Sequence, residues 1–170
     1  MSFDLCLSLD CSQDGATACL RLPDGSVLAR ASDAPRAQAA DLMALSRALL
    51  SEARRDWSYL TGLVLCHGPG SFTGLRVAAG LAQGLARGLN IPVVCVSGFE
   101  AKAFMHWLGQ PPEGRVRSQT YVVDVDARLG EWYRALLSVD AAGHTTLLDA
   151  PMVVAAGQPL PAGSDPASPA

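Results

Sequence analysis

The segment Gly68-Pro69-Gly70-Ser71-Phe72-Thr73-Gly74-Leu75-Arg76 constrains the fold more than any other stretch. It joins a strand-like run, Leu63 to Cys66, to a long helical pattern. Gly68, Gly70 and Gly74 tolerate backbone angles or close approaches that a Cβ forbids, and Pro69 fixes one φ and removes one donor. The spacing predicts a strand-to-helix turn in which Ser71 or Thr73 caps the helix. Amide groups and the positive dipole end at a helix start suit an anion or a partner's carboxylate. This makes Gly68, Gly70, Ser71 and Thr73 candidate anion or nucleotide contacts. The competing reading is that glycine and proline only punctuate the turn, and the local residues leave both open. Two phosphate-loop types are excluded. The only lysine, Lys102, lies far downstream, so no Walker A pattern exists, and the three glycines miss the dinucleotide fingerprint spacing by one position.

A chain of 170 residues with 49% hydrophobic composition can bury a core as one globular domain or two small lobes. The formal net charge of −3 argues against a broad basic surface, which assigns any contact with RNA to a partner. The five cysteines, Cys6, Cys11, Cys19, Cys66 and Cys95, are odd in number, form no Cys-x-x-Cys pair and lie in or beside apolar runs. Reduced core thiols in a reducing cytoplasm are the expectation. No apolar run approaches the roughly twenty residues of a membrane span, and no basic region precedes the first apolar run, so a soluble cytoplasmic protein is expected.

Leu5 to Asp10, Ala16 to Leu22 and Val27 to Ala31 read as a β-meander, with Pro23-Asp24-Gly25 turning its second hairpin. Apolar residues from Ala37 to about Arg54 recur at helical spacing, and a strand follows at Gly62 to Cys66. The glycine turn leads to a helix from Thr73 to Leu89, a strand at Val93 to Val96 and a helix around Phe99 to Leu108. Right-handed crossovers place the later strands in parallel. The order β-β-β-α-β-α-β-α resembles an RNase H-like lobe, assigned to residues 1–109. Gln110-Pro111-Pro112-Glu113-Gly114 reads as a linker to a reduced second lobe, 110–156, with strands at Thr120 to Asp124, Trp132 to Val139 and Thr145 to Leu148. Residues 157–170, rich in Pro, Gly, Ala and Ser, read as a disordered tail.

Gly80, Gly84 and Gly88 fall four apart on the helix after the turn, beside a row of Ala78, Ala82 and Ala86. Glycine inside a helix costs about 1 kcal/mol relative to alanine, so the row calls for a compensating close approach. Packing inside the domain and a helix-to-helix interface are equally compatible with it.

Asp10-Cys11-Ser12, the glycine turn with its small-residue helix, Ile91-Pro92-Val93 with Val96-Ser97, and Asp126-Ala127-Arg128 with Glu131 and Tyr133 together resemble the bacterial TsaB (YeaZ) family. The resemblance reaches to about Leu148 and rests above all on the glycine turn. It implies an α/β ASKHA (RNase H-like) fold, a mixed β-sheet with packed helices plus a second lobe that is shortened here. It also implies a non-catalytic partner of TsaD, the subunit that transfers threonylcarbamoyl to adenosine in tRNA. Implied companions are a TsaE-like ATPase and a second copy of the chain. ATP or ADP is expected only in the complex, and tRNA is contacted only through it. The helix after the turn then pairs with another helix through Gly74, Val77, Ala78, Gly80, Leu81, Gly84, Leu85 and Gly88. A stand-alone ASKHA-type nucleotide-dependent transferase, or a relative with only a dimerisation role, is the alternative.

No catalytic residue and no metal site is expected. His67, His106 and His144 are too far apart to form a helical ligand pair. Asp10 is the one carboxylate placed for a phosphate-side role in such a fold, against the simpler role of closing the turn Ser12 to Gly15. Asp124 and Asp126 share a strand face, but Asp126 with Arg128 reads as a local ion pair or turn. Trp132 and Tyr133 read as core or interface area rather than base-stacking groups.

Overall fold

The computed structural model describes residues 3–32, 39–159 and 165–167. The chain divides into two units, Met1–Val96 and Ser97–Ala170.

The first unit is built on β1 (Cys6–Asp10), β2 (Ala16–Arg21), β3 (Val27–Ser32), β4 (Gly62–Cys66) and β5 (Val93–Val96), in the sheet order β3-β2-β1-β4-β5. The first three are antiparallel, and β4 and β5 add in parallel, as the crossover argument requires. The β2–β3 turn forms at Pro23-Asp24-Gly25, where Gly25 has φ +86° and the Asp24 carboxylate accepts from the Ser26 amide and hydroxyl at 2.9 and 2.6 Å. Helix α1 (Ala39–Glu52) packs on β2 and β3, while α2 (Phe72–Leu89) packs on β1, β4 and β5 and touches α1. The helix start expected at Ala37 lies outside the described residues. Leu7, Leu9, Leu20, Leu42, Leu49 and Leu63 are fully buried together with Ala78 and Ala82 of α2. Each such leucine contributes about 2 kcal/mol of transfer free energy.

The second unit comprises α3 (Gly98–Leu108), β6 (Gln119–Arg128), β7 (Glu131–Val139), β8 (Thr145–Leu147), β9 (Met152–Ala155) and β10 (Asp165–Ala167). Its sheet runs β10-β6-β7-β8, with β9 also paired to β7. Tyr121, Val123 and Val125 of β6 and Ala135, Leu137 and Val139 of β7 alternate onto one face, where Phe99, Ala103 and Trp107 of α3 cover them. Ser97 starts α3 with a capping box: its hydroxyl accepts from Phe99 N–H, and Glu100 reaches back to Ser97 N–H at 3.2 Å.

Two expectations are corrected. Helix α3 belongs to the second sheet, so the boundary falls between Val96 and Ser97 rather than after residue 109. Phe99, Ala103 and Trp107 mark a buried helix stripe, but a stripe does not say which sheet buries it. The segment 157–170, read as a disordered tail, also carries a strand. Strand β9 pairs antiparallel with β7, and within the supposed tail β10 pairs in parallel with β6, Asp165 facing Tyr121. Composition reports the small apolar content of a segment, not the open strand edge available to it. Residues 160–164 and 168–170 of that segment lie outside the described residues.

Candidate functional site

The ends of β1 and β4 bring the β1–β2 loop against the glycine turn. Asp10 accepts a hydrogen bond from Ser12 N–H at 2.7 Å, which makes it the turn-closing aspartate of this loop. Ser12 is buried, and its carbonyl accepts from Ser71 N–H at 2.7 Å. Ser71 then caps α2, its hydroxyl accepting from Gly74 N–H at 3.2 Å. A polar chain therefore runs from the end of β1 to the first turn of α2. Two of the amides that would greet an anion, those of Ser71 and Gly74, are engaged by the chain's own oxygens. Thr73 is exposed beside them.

Each glycine of the turn has its own constraint. Gly68 has φ +100° and Gly70 φ +154°, and a Cβ on Gly70 would strike the Ser12 carbonyl. Gly74 has ordinary helical angles, but a Cβ there would strike the Cys11 carbonyl. The glycines let α2 start directly against the β1–β2 loop.

The thiols around this junction are held protonated. Burial, with smaller contributions from the Asp10 and Asp41 carboxylates, pushes Cys11 up to about 11. Burial likewise raises Cys66, whose sulfur lies among Gly68 N–H and the side chains of Ser12 and Asp10. His67 is exposed, and its amide donates to the Val96 carbonyl at 3.1 Å. Among the described residues no three His, Cys, Asp or Glu side chains are grouped to hold a metal.

Helix α2 has two contrasting faces. Gly74, Ala78 and Ala82 form its buried row, and Leu81 and Leu85 are half-buried against the same core. Gly74 and Ala78 are thus packing residues of this unit, which removes them from the expected pairing set. The spacing did not separate them, because rows two positions apart on this helix both carry small residues. Val77 is half-buried. Gly80, Gly84 and Gly88 are exposed, and a Cβ added at any of them would meet nothing within 4 Å. Phe72 and Arg76 extend that row by the same step of four. Phe72 is 67% exposed and carries the Arg76 guanidinium over its ring at 3.8 Å. Among the described residues, the compensating close approach sought for the glycine row is therefore absent from this unit's own packing.

In the second unit Asp124 is taken up by Arg134, through Nε at 2.8 Å and Nη2 at 2.7 Å, and this pairing was not foreseen. The signal was present, because a long hairpin sets Asp124 opposite Arg134 once the turn is fixed at Leu129-Gly130. Asp126 instead closes the hairpin end, accepting from Arg128 N–H at 2.7 Å with the Arg128 guanidinium at 4.0 Å. Trp132 and Tyr133 are half-buried, Tyr133 against the second core.

Among the described residues no helix is long and apolar enough to cross a membrane. Residues 31–151 match the family model described as TsaD, tRNA N6-adenosine threonylcarbamoyltransferase. The tRNA threonylcarbamoyladenosine biosynthesis protein TsaB of Escherichia coli (strain K12) is 31% identical over 138 residues, covering 81% of this chain and 56% of that protein. The Haemophilus influenzae protein of the same name is 36% identical over 85 residues, 50% of this chain and 34% of its own length. The chain thus spans about half the length, or less, of these curated relatives. The solved structure of YeaZ from Pseudomonas aeruginosa superposes with a TM-score of 0.78 at 29% identity, over 95% of this chain and 72% of that one. A second Pseudomonas aeruginosa structure, described as similar to peptidase YEAZ, gives 0.79 at 29% identity over 96% and 74%. With the three-antiparallel, two-parallel sheet and the glycine turn at the head of α2, these matches establish an ASKHA-type α/β fold and place the chain in the TsaB (YeaZ) family.

Proposed function

We propose that this chain is a non-catalytic scaffold in tRNA threonylcarbamoyladenosine formation, pairing through the exposed row of α2 with a TsaD-like catalytic subunit. The observation that carries the reading is the open space above Gly80, Gly84 and Gly88 on a helix whose other side is fully engaged. Three exposed helical glycines cost about 3 kcal/mol relative to alanine, which a second backbone lying close along the row offsets. Family membership supplies the kind of partner. A TsaE-like ATPase joins the same assembly, and tRNA is met there rather than on this acidic chain. The row also suits a second copy, since antiparallel pairing about Gly80 sets Phe72 of each chain over Gly88 of the other. That arrangement places a ring against an open groove.

The test is reconstitution of threonylcarbamoyl transfer from a TsaD-type subunit, a TsaE-type ATPase and tRNA, with this chain, without it, and with its Gly84→Leu variant. Transfer that depends on the chain and falls with Gly84→Leu, while that variant keeps its melting temperature, is the expected result. Transfer indifferent to the chain, or undiminished pairing by Gly84→Leu, would overturn the proposal.

A further inference from the structure

Helix α2 turns one continuous face to solvent, and the charge on that face is one-sided. Thr73, Arg76, Gly80, Gln83, Gly84 and Arg87 are exposed on it, while Gly74, Ala78 and Ala82 are buried on the other side. Arg76 and Arg87 are separated by about three helical turns, so both stand on one line, about 16 Å apart along the axis. The helix holds no carboxylate, and among the described residues neither guanidinium meets one. Arg76 instead lies over the Phe72 ring at 3.8 Å, a contact that steers the side chain and keeps its charge. On a chain of net charge −3, this face carries cations only. The helix dipole accounts for Arg87 in the last turn, but it offers nothing to Arg76 near the end capped by Ser71.

Symmetry limits what such a line can meet. Where two copies of this chain pair antiparallel through α2 and cross between Gly80 and Gly84, Arg76 of each copy comes within about one and a half turns of Arg87 of the other. Where they pair in parallel, Arg76 meets Arg76 and Arg87 meets Arg87. Either way the guanidinium groups of both copies line one seam with no counter-charge, and like charges set close together cost affinity. Shape alone admits a second copy, whereas charge disfavours it. A partner helix with carboxylates at the matching spacing has the opposite balance, because each of them meets a cation that has no carboxylate of its own.

Resting on the reading that α2 is the pairing helix, we propose that Arg76 and Arg87 are the specificity-determining residues of this face. They select a partner helix that carries carboxylates and disfavour a second copy. The TsaD-like subunit is thereby recognised through acidic residues on the helix that it lays along α2.

Sedimentation velocity over a concentration series measures self-association, and titration calorimetry measures pairing with a TsaD-type subunit. Both are applied to the wild type, Arg76→Gln/Arg87→Gln, Arg76→Lys/Arg87→Lys and Gly84→Leu. Removing both charges is expected to tighten self-association about tenfold and to weaken pairing with the TsaD-type subunit about tenfold. Raising salt from about 0.05 to about 0.5 M acts on the wild type in the same two directions. The lysine variant keeps the charges and stays close to wild type; if it behaves like the glutamine variant, the charge selection is overturned. Pairing that ignores both the glutamine variant and salt, yet is lost with Gly84→Leu, overturns the charge selection and leaves α2 as the pairing helix. Equal self-association of the wild type and the glutamine variant, including none in either, overturns the discrimination against a second copy. A TsaD-type subunit that does not bind the wild type, or that binds Gly84→Leu equally well, overturns the pairing reading and this proposal with it.

Discussion

Gly74 faces the carbonyl oxygen of Cys11 across a gap that no Cβ can enter, whereas Gly80, six residues further along the same helix, faces open space. Two glycines of α2 thus answer to opposite constraints. Gly74→Ala is expected to destabilise the first unit by about 3 kcal/mol, because the obstacle is backbone and cannot swing aside. Gly80→Ala and Gly84→Ala should each stabilise the monomer by about 0.5–1 kcal/mol, the helix-propensity difference alone. Urea denaturation at low protein concentration measures all three. A tolerated Gly74→Ala would refute the packing of the turn against the β1–β2 loop.

The thiols differ as sharply in reactivity as in burial. Cys95 is exposed, whereas burial raises the thiols of Cys6, Cys19 and Cys66 and pushes Cys11 up to about 11. An aromatic disulfide reagent at neutral pH is therefore expected to give one fast equivalent, which Cys95→Ser abolishes. Survival of the fast phase in that variant would place the reactive thiol elsewhere.

Three aspartates organise turns by accepting local hydrogen bonds: Asp24 from Ser26, Asp56 from Ser58 and Asp140 from the His144 and Ala142 amides. Each is held below the ordinary aspartate value of 3.8, chiefly by those bonds. A lowered folded-state value means that the contribution to stability is present above the unfolded value and is lost as pH falls through the folded one. The amide resonances of Ser26 and Ser58 should accordingly stay constant from neutrality down to about pH 4 and move only below it. Movement centred above pH 4 would contradict the turn geometry.

Leu129 and Gly130 form the two-residue turn of the β6–β7 hairpin with φ of +56° and +80°, and Leu129 is fully exposed. A leucine in the left-handed region carries a steric cost without burying anything in return. Leu129→Asn, the residue such turns prefer, is expected to raise the stability of the second unit by about 0.5–1 kcal/mol. A thermal melt resolves the gain, and a loss would show that the side chain has a contact beyond this chain.

The first sheet was legible because alternation, the Pro-Asp-Gly turn and the helical periods each fix a local geometry, and the crossover rule then leaves one arrangement. Asp10 was readable as a turn residue for the same reason. What escaped depends on distant partners. Whether Phe99, Ala103 and Trp107 cover the first or the second sheet, and whether β10 finds the β6 edge, is decided by surfaces that exist only after folding. The division of α2 into a buried row with Gly74 and an exposed row with Gly80 escaped similarly, since glycine and alanine give no hydrophobic contrast to read.

The placing of β10 beside β6 also bears on synthesis. Ribosomes deliver this chain from the N-terminus, and the antiparallel neighbours β1, β2 and β3 pair as they emerge. Tyr121 leaves the exit tunnel well before Asp165, the residue that faces it in the finished sheet. For that interval the nascent chain displays a formed β6–β7 hairpin with one flank unoccupied. A chaperone that favours open strand flanks has its opportunity there, and the opportunity closes when β10 takes its place.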